Sequence, residues 1–145
     1  RVRVHICWGN YEGPHVCDIG MDKVFATLMS TAARYVLFET SNPRHAHEWT
    51  VFRDRASEIP DDKVLVPGVV DTTTNFVEHP ELVAERIERF AAIVGPERVI
   101  AGSDCGFGTF AGFGAVDPEI AWAKLGALSE GAALASARLG QPVSA

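Results

Sequence analysis

Cysteine is scarce in this sequence. Only Cys7, Cys17 and Cys105 occur. An odd, scattered set of this kind cannot build a disulfide framework and points to a reducing compartment, the cytoplasm. Basic charge is scarce too. Lys and Arg number 13 against 19 Asp and Glu, for a net charge of −6. No Lys/Arg stripe occurs, which excludes a nucleic-acid surface. No apolar run approaches the ~18 residues of a membrane span. No secretory leader is expected, because the first residues read as a strand pattern. There is no initiator Met either, so Arg1 is not expected to be the natural start. No G-x-G-x-x-G follows the first strand, and the glycine-rich stretch 106–114 lacks the Lys-Ser/Thr of a P-loop. Apolar residues are not scarce: they make up 47% of 145 residues, enough for the core of one domain.

Four short apolar runs recur, at 2–7 (VRVHIC), 35–40 (YVLFET), 63–71 (KVLVPGVVD) and 98–105 (RVIAGSDC). They are β-branched or aliphatic and nearly continuous, the pattern of strands buried on both faces. A helical pattern follows each: about 18–33, about 43–55, 80–94 and 118–139. The third carries Pro80 in its first turn and Gly95 after its end. The fourth has Asp117 as cap, Pro118 as first residue and Gly140 as stop. Units of about 30–40 residues fit parallel strands with crossover helices. An open doubly wound sheet and a barrel both suit this order. The missing fingerprint removes support only for the dinucleotide-binding version of the first, and a full barrel needs about 250 residues. The expected fold is therefore α/β: four βα units, which as a barrel make half of a TIM (βα)₈ fold, with 1–145 as one domain and a fragment of a longer chain.

The polar residues are unevenly placed. His5 and Cys7 end the first run, Glu39 the second, Asp71 the third, and Asp104 and Cys105 the fourth. In parallel βα architectures the carboxyl ends of the strands form the site. Residues i and i+2 of a strand point the same way, so His5 and Cys7 aim a nitrogen and a sulfur into one space. Glu39 and Cys105 add an oxygen and a second sulfur. Zinc suits this mixed set. Taken alone, His-x-Cys more often marks a core Cys beside a hydrogen-bonded His. The equivalent strand ends change that balance.

"HIC", "FET" and "SDCG", in that order and spacing, resemble the C-terminal barrel of cobalamin-independent methionine synthases. "NPRHAHEW", "PGVVDTTTNFVEHPELVAERI" and "VIAGSDCGFGTFAG" resemble a side branch of that superfamily, which holds methionine-synthase-like proteins and epoxyalkane:coenzyme M transferases. The resemblance covers roughly residues 2–139. It implies catalytic zinc on His5, Cys7, Glu39 and Cys105. It also implies alkylation of a small-molecule thiol by an alkyl donor, and an upstream half-barrel, or a partner chain, that is not in view. A zinc-bound thiol ionises while staying nucleophilic. Methyl transfer to homocysteine is the leading expectation and epoxide opening by coenzyme M the alternative. One position departs from the pattern: where methionine synthases carry Asp-Ile-His-Ser, this chain reads "VVDTTTN", with Thr73 in place of the His. Asp71 and His79 are the nearby groups able to substitute.

Other readings attach to single residues. Asp71, at a buried strand end, needs a partner and is read as catalytic. Asp104 either serves the site or caps a loop. Asn42 and Arg44 are read as contacts to an anionic substrate group, against a plain helix start. Trp8 and Phe107 are read as pocket walls. His45 and His47 look like a His-x-His metal pair, but at i, i+2 on a helix they face different ways and are read as structural or as supports behind the metal ligands. His15 and Cys17 are loop residues. Two further classes compete with the enzyme: a non-catalytic half-barrel, and a metal-free barrel lyase in which Cys7→Ser and Cys105→Ser change nothing.

Overall fold

The computed structural model describes residues 2–108 and 110–140. Four parallel strands lie side by side in chain order: β1 (Arg3–His5), β2 (Tyr35–Phe38), β3 (Val64–Val70) and β4 (Gly102–Ser103). Val4 stands opposite Val36, Leu37 opposite Val66, and Gly68 opposite Gly102. Helices α1 (Met21–Ser30), α2 (Trp49–Asp54), α3 (Pro80–Val94) and α4 (Pro118–Arg138) follow the strands in turn. An all-parallel sheet in unbroken sequential order, with a helix after each strand, is half of a (βα)₈ barrel. A doubly wound sheet would reverse its strand order.

The core lies between the sheet and its helices. Phe38 of β2 stacks on Phe52 of α2 at 4.3 Å between ring centroids, and Phe90 of α3 meets both edge-on at 5.5 Å. A second cluster joins Val69 and Val70 of β3 to Val83, Ala84 and Ile87 of α3 and Ala135 of α4. Here α4 comes so close to α3 that a Cβ at Gly131 would sit 2.4 Å from Val83 Cγ1.

Several elements are shorter than their sequence patterns. All of β3 is buried, but Arg3 and His5 of β1 are exposed. The expectation that every strand is covered on both faces fails there because β1 is an edge strand, paired only with β2. The first helix starts at Met21, where Glu48 Oε1 accepts the Met21 N–H at 2.8 Å. The second is helical only over Trp49–Asp54. Residues ahead of it form turns, because Asn42 Oδ1 accepts the Arg44 N–H and the N–H groups of 40–42 go to Asp104. In the fourth run the strand is only Gly102 and Ser103, with an isolated bridge from Val99 to Leu65 of β3 ahead of it, after a 3-10 turn at Pro96–Arg98. The third and fourth helices keep their expected bounds, with His79 and Asp117 as caps. No described helix is long and apolar enough to cross a membrane.

Candidate metal centre

β1 ends at His5, and its last ladder bond runs from Ile6 N–H to Leu37 O at 3.0 Å. Cys7 lies just beyond, on the same side as His5. Cys105 lies two residues past β4 and meets them across the mouth of the half-barrel. The Cys7 and Cys105 sulfurs are 2.9 Å apart, and His5 Nε2 is 3.5 Å from Cys105 Sγ. Ligand atoms of His5, Cys7 and Cys105 all fall within 4.8 Å of one another. Glu39, directly after β2, completes the group: the Cys105 thiol donates to its Oε1 at 3.1 Å.

This set can be tested against zinc. With Zn–S of about 2.3 Å and Zn–N of about 2.0 Å, a tetrahedral site puts sulfurs about 3.8 Å apart and nitrogen about 3.6 Å from sulfur. The His5–Cys105 separation of 3.5 Å already meets this. The two sulfurs, 2.9 Å apart, must open by about 0.9 Å. Cys7 is exposed and Cys105 half-buried, so both have room to move. The chemistry agrees with the geometry. Burial, then the hydrogen bonds with Cys7 and Glu39, push the Cys105 thiol far above its ordinary range. A cation at the centre of two sulfurs and a carboxylate removes that penalty. The residues fit the ion.

Glu39 is only 1% exposed and is held at both oxygens. Oε1 accepts the Trp8 N–H at 2.9 Å and Oε2 accepts Asn42 Nδ2–H at 2.8 Å, with Arg44 Nη2 at 3.6 Å. Asn42 and Arg44, expected to meet an anionic substrate group, are thus turned onto the protein's own carboxylates. Arg44 also donates to Asp18 Oδ2 at 2.5 Å and to Gly9 O at 3.1 Å, so the 9–18 loop wraps around it. Trp8 stacks on His45 and donates from Nε1 to Ile19 O.

Asp104 faces the 40–42 turn. Its Oδ1 accepts the N–H groups of Thr40 and Ser41, both at 2.9 Å, and its Oδ2 accepts Asn42 N–H at 2.8 Å and Asn42 Nδ2–H at 3.1 Å. Burial raises this carboxyl and the Ser41, Thr40 and Asn42 donors lower it, and the balance leaves it at about 7. Since all four neighbours donate, the ionised form is the one that satisfies them. The carboxylate crosses β3 at Gly68, where a Cβ would lie 2.0 Å from Asp104 Oδ1. Of the two readings of Asp104, this placement is that of a loop cap. It orients the turn that follows Glu39.

Asp71 is buried at the end of β3 and accepts Thr73 N–H at 3.0 Å and Thr73 Oγ1–H at 2.9 Å. Its own N–H goes to Glu78 Oε1, whose Oε2 pairs with the fully buried Lys124 at 3.0 Å. His79 caps α3. His45 is buried and His47 exposed, in turns rather than on a helix. Glu48, Asp18, Glu78 and Lys124 escaped the sequence reading. Each bonds a residue at least 26 positions away, Glu48 to Met21, Asp18 to Arg44 and Glu78 to Lys124, and no local pattern marks those pairs.

A family described as "Cobalamin-independent synthase, Catalytic domain" matches residues 13–118. That span includes Glu39 and Cys105, whereas His5 and Cys7 lie ahead of it. No curated protein sequence matches the chain. Among solved structures, it is similar to a B12-independent methionine synthase from Shewanella sp. W3-18-1, solved in complex with selenomethionine. The identity is 21% and the TM-score 0.68, over 94% of this chain and 39% of that one. The chain therefore spans about two fifths of that relative's length, and the likeness is one of fold.

Proposed function

The chain belongs to the cobalamin-independent synthase catalytic-domain family, and from that premise we propose that it is the zinc-binding half of a thiol S-methyltransferase. The observation that carries this reading is the meeting of His5 Nε2, Cys7 Sγ and Cys105 Sγ within 4.8 Å at strand ends, with Glu39 beside them. These four residues would hold the zinc, which supplies a Lewis-acidic partner that ionises a substrate thiol near neutral pH. Trp8 N–H and Asn42 Nδ2–H keep the Glu39 carboxylate oriented. The Asp104-capped turn holds Asn42 in place. At the next strand end Thr73 gives its hydroxyl to Asp71. Asp71, which accepts both Thr73 donors, is assigned there as the acceptor that would orient a protonated group of the alkyl donor.

The site is half a site. His5 and Cys7 are exposed, and β1 and β4 each pair on one side only. Beside β4 an open apolar groove of about 390 Å³ is lined by Val99, Ile100, Ala101, Leu128 and Ala132. A second half-barrel, supplying four more strands and the contacts to the alkyl donor, fits these edges. We assign residues 1–145 to one domain, the C-terminal half of such a barrel. Its three free cysteines support a reducing compartment, the cytoplasm.

Metal analysis with zinc-edge spectroscopy, with and without homocysteine or coenzyme M, tests the reading. One zinc per chain on one N, one O and two S ligands is expected, gaining a third S when the accepted thiol is added. A protein without zinc, or one whose zinc content survives Cys7→Ser and Cys105→Ser, overturns it.

A further inference from the structure

The ladder does not explain why Cys7 stays in place. β1 is three residues long and its backbone bonding stops at Ile6. Cys7 and Trp8 lie beyond it on an edge strand, where a chain end frays unless tied down. Yet the Trp8 N–H lies 2.9 Å from Glu39 Oε1, the same oxygen that faces Cys105 Sγ at 3.1 Å. The peptide that joins Cys7 to Trp8 therefore sets two of the four candidate ligands together, and whatever fixes Trp8 fixes both.

The Trp8 ring is fixed from two sides. Its Nε1–H donates to Ile19 O at 2.5 Å. Its face stacks on His45, with centroids 4.1 Å apart and planes 29° apart. His45 is only 2% exposed and belongs to neither apolar cluster. Its Nδ1 lies 2.9 Å from Glu48 Oε2, whereas Nε2 makes no hydrogen bond and faces Oδ2 of the exposed Asp18 at 3.4 Å. Glu48 is buried and is anchored in turn by Met21 N–H at the start of α1. A ring needed only for packing has no use for a buried carboxylate, whose desolvation is costly. A ring that must be held at one angle does.

We propose that His45 is a positioning residue for the metal centre, held by Glu48 so that its stacked face holds Trp8 and, through it, Cys7 and Glu39 in ligating register. This rests on the zinc reading above. Groups that orient metal ligands typically change affinity 10–100-fold when removed.

The experiment is zinc affinity by chelator competition, with the thiolate-to-cobalt absorption band of the cobalt-substituted protein as a second readout. His45→Ala is expected to weaken zinc binding about 10–100-fold and to shift the cobalt band. His45→Phe keeps the aromatic face and is expected to stay within about threefold of wild type. Trp8→Leu is expected to match His45→Ala, and the double variant to be no worse than either single one, as for residues acting through one path. Trp8→Leu leaves the Glu48–His45 pair whole, so it carries the test if His45→Ala does not fold. If wild type binds zinc and both His45→Ala and Trp8→Leu bind it equally well with unchanged cobalt bands, the inference is overturned and the zinc reading stands. If wild type binds no zinc, both fall.

Discussion

The tightest single joint is Asp104 against Gly68. Four donors converge on one buried carboxylate, and the strand beneath it has no side chain to give way. Asp104→Asn turns an NH₂ toward the N–H groups that now meet an oxygen. Each buried donor left unmatched costs about 1–3 kcal/mol, so urea unfolding should show a loss of about 2–4 kcal/mol. Gly68→Ala drives a methyl into Asp104 and is expected to cost about 1–3 kcal/mol or more. His45 sets a pH dependence. Burial works against its imidazolium, but the Glu48 hydrogen bond and charge outweigh it and hold the group above the usual histidine value of 6.5, with Glu39 adding and Arg44 opposing. The native state therefore binds this proton more tightly than the unfolded chain does. The resulting stabilisation is complete below about pH 6.5 and is lost as pH rises through the native value. Unfolding midpoints of wild type and His45→Phe should therefore converge between pH 6 and pH 9. A constant gap would show that the proton plays no part.

At the scale of elements, the joints are side chains that finish helices from elsewhere in the chain. Lys63, buried at the foot of β3, donates to Thr31 O and to Ala33 O, and so closes the exit of α1. Lys63→Met keeps the bulk but strands two buried carbonyls, for an expected loss of about 1–3 kcal/mol each at most. Hydrogen exchange in the last turn of α1 should quicken. Asp117 Oδ1 accepts Glu119 N–H at 2.8 Å and caps α4. Asp117→Ala should cost about 1 kcal/mol, read as a lower thermal midpoint with the zinc affinity unchanged.

For the whole molecule, a metal held as proposed would tie the two outer strands together. β1 and β4 carry ligands from opposite edges of the sheet, so an ion held by both is linked to the integrity of all four strands. Zinc at a hundredfold excess over its dissociation constant should add about 2.7 kcal/mol of stability, seen as a thermal midpoint several degrees higher. Cys105→Ser should remove that increment. An equal rise in the variant would mean that the stabilising ion sits elsewhere.

The sequence by itself determined the architecture and the ends of the strands where chemistry collects. Apolar runs alternating with helical patterns make a parallel sheet, and the period-2 geometry of a strand puts His5 beside Cys7 before any contact is known. Pro80 and Asp117, acting within one turn of themselves, placed two helix starts. Only the tertiary structure decided the rest. It set Arg44 and Asn42 on protein carboxylates, gave Asp104 to the 40–42 turn, shortened α2, and brought His45 against Trp8. The physical reason is reach. Propensity and periodicity act over a few residues, whereas a buried charge takes whichever partner the fold carries to it, here across 26 to 64 positions of chain.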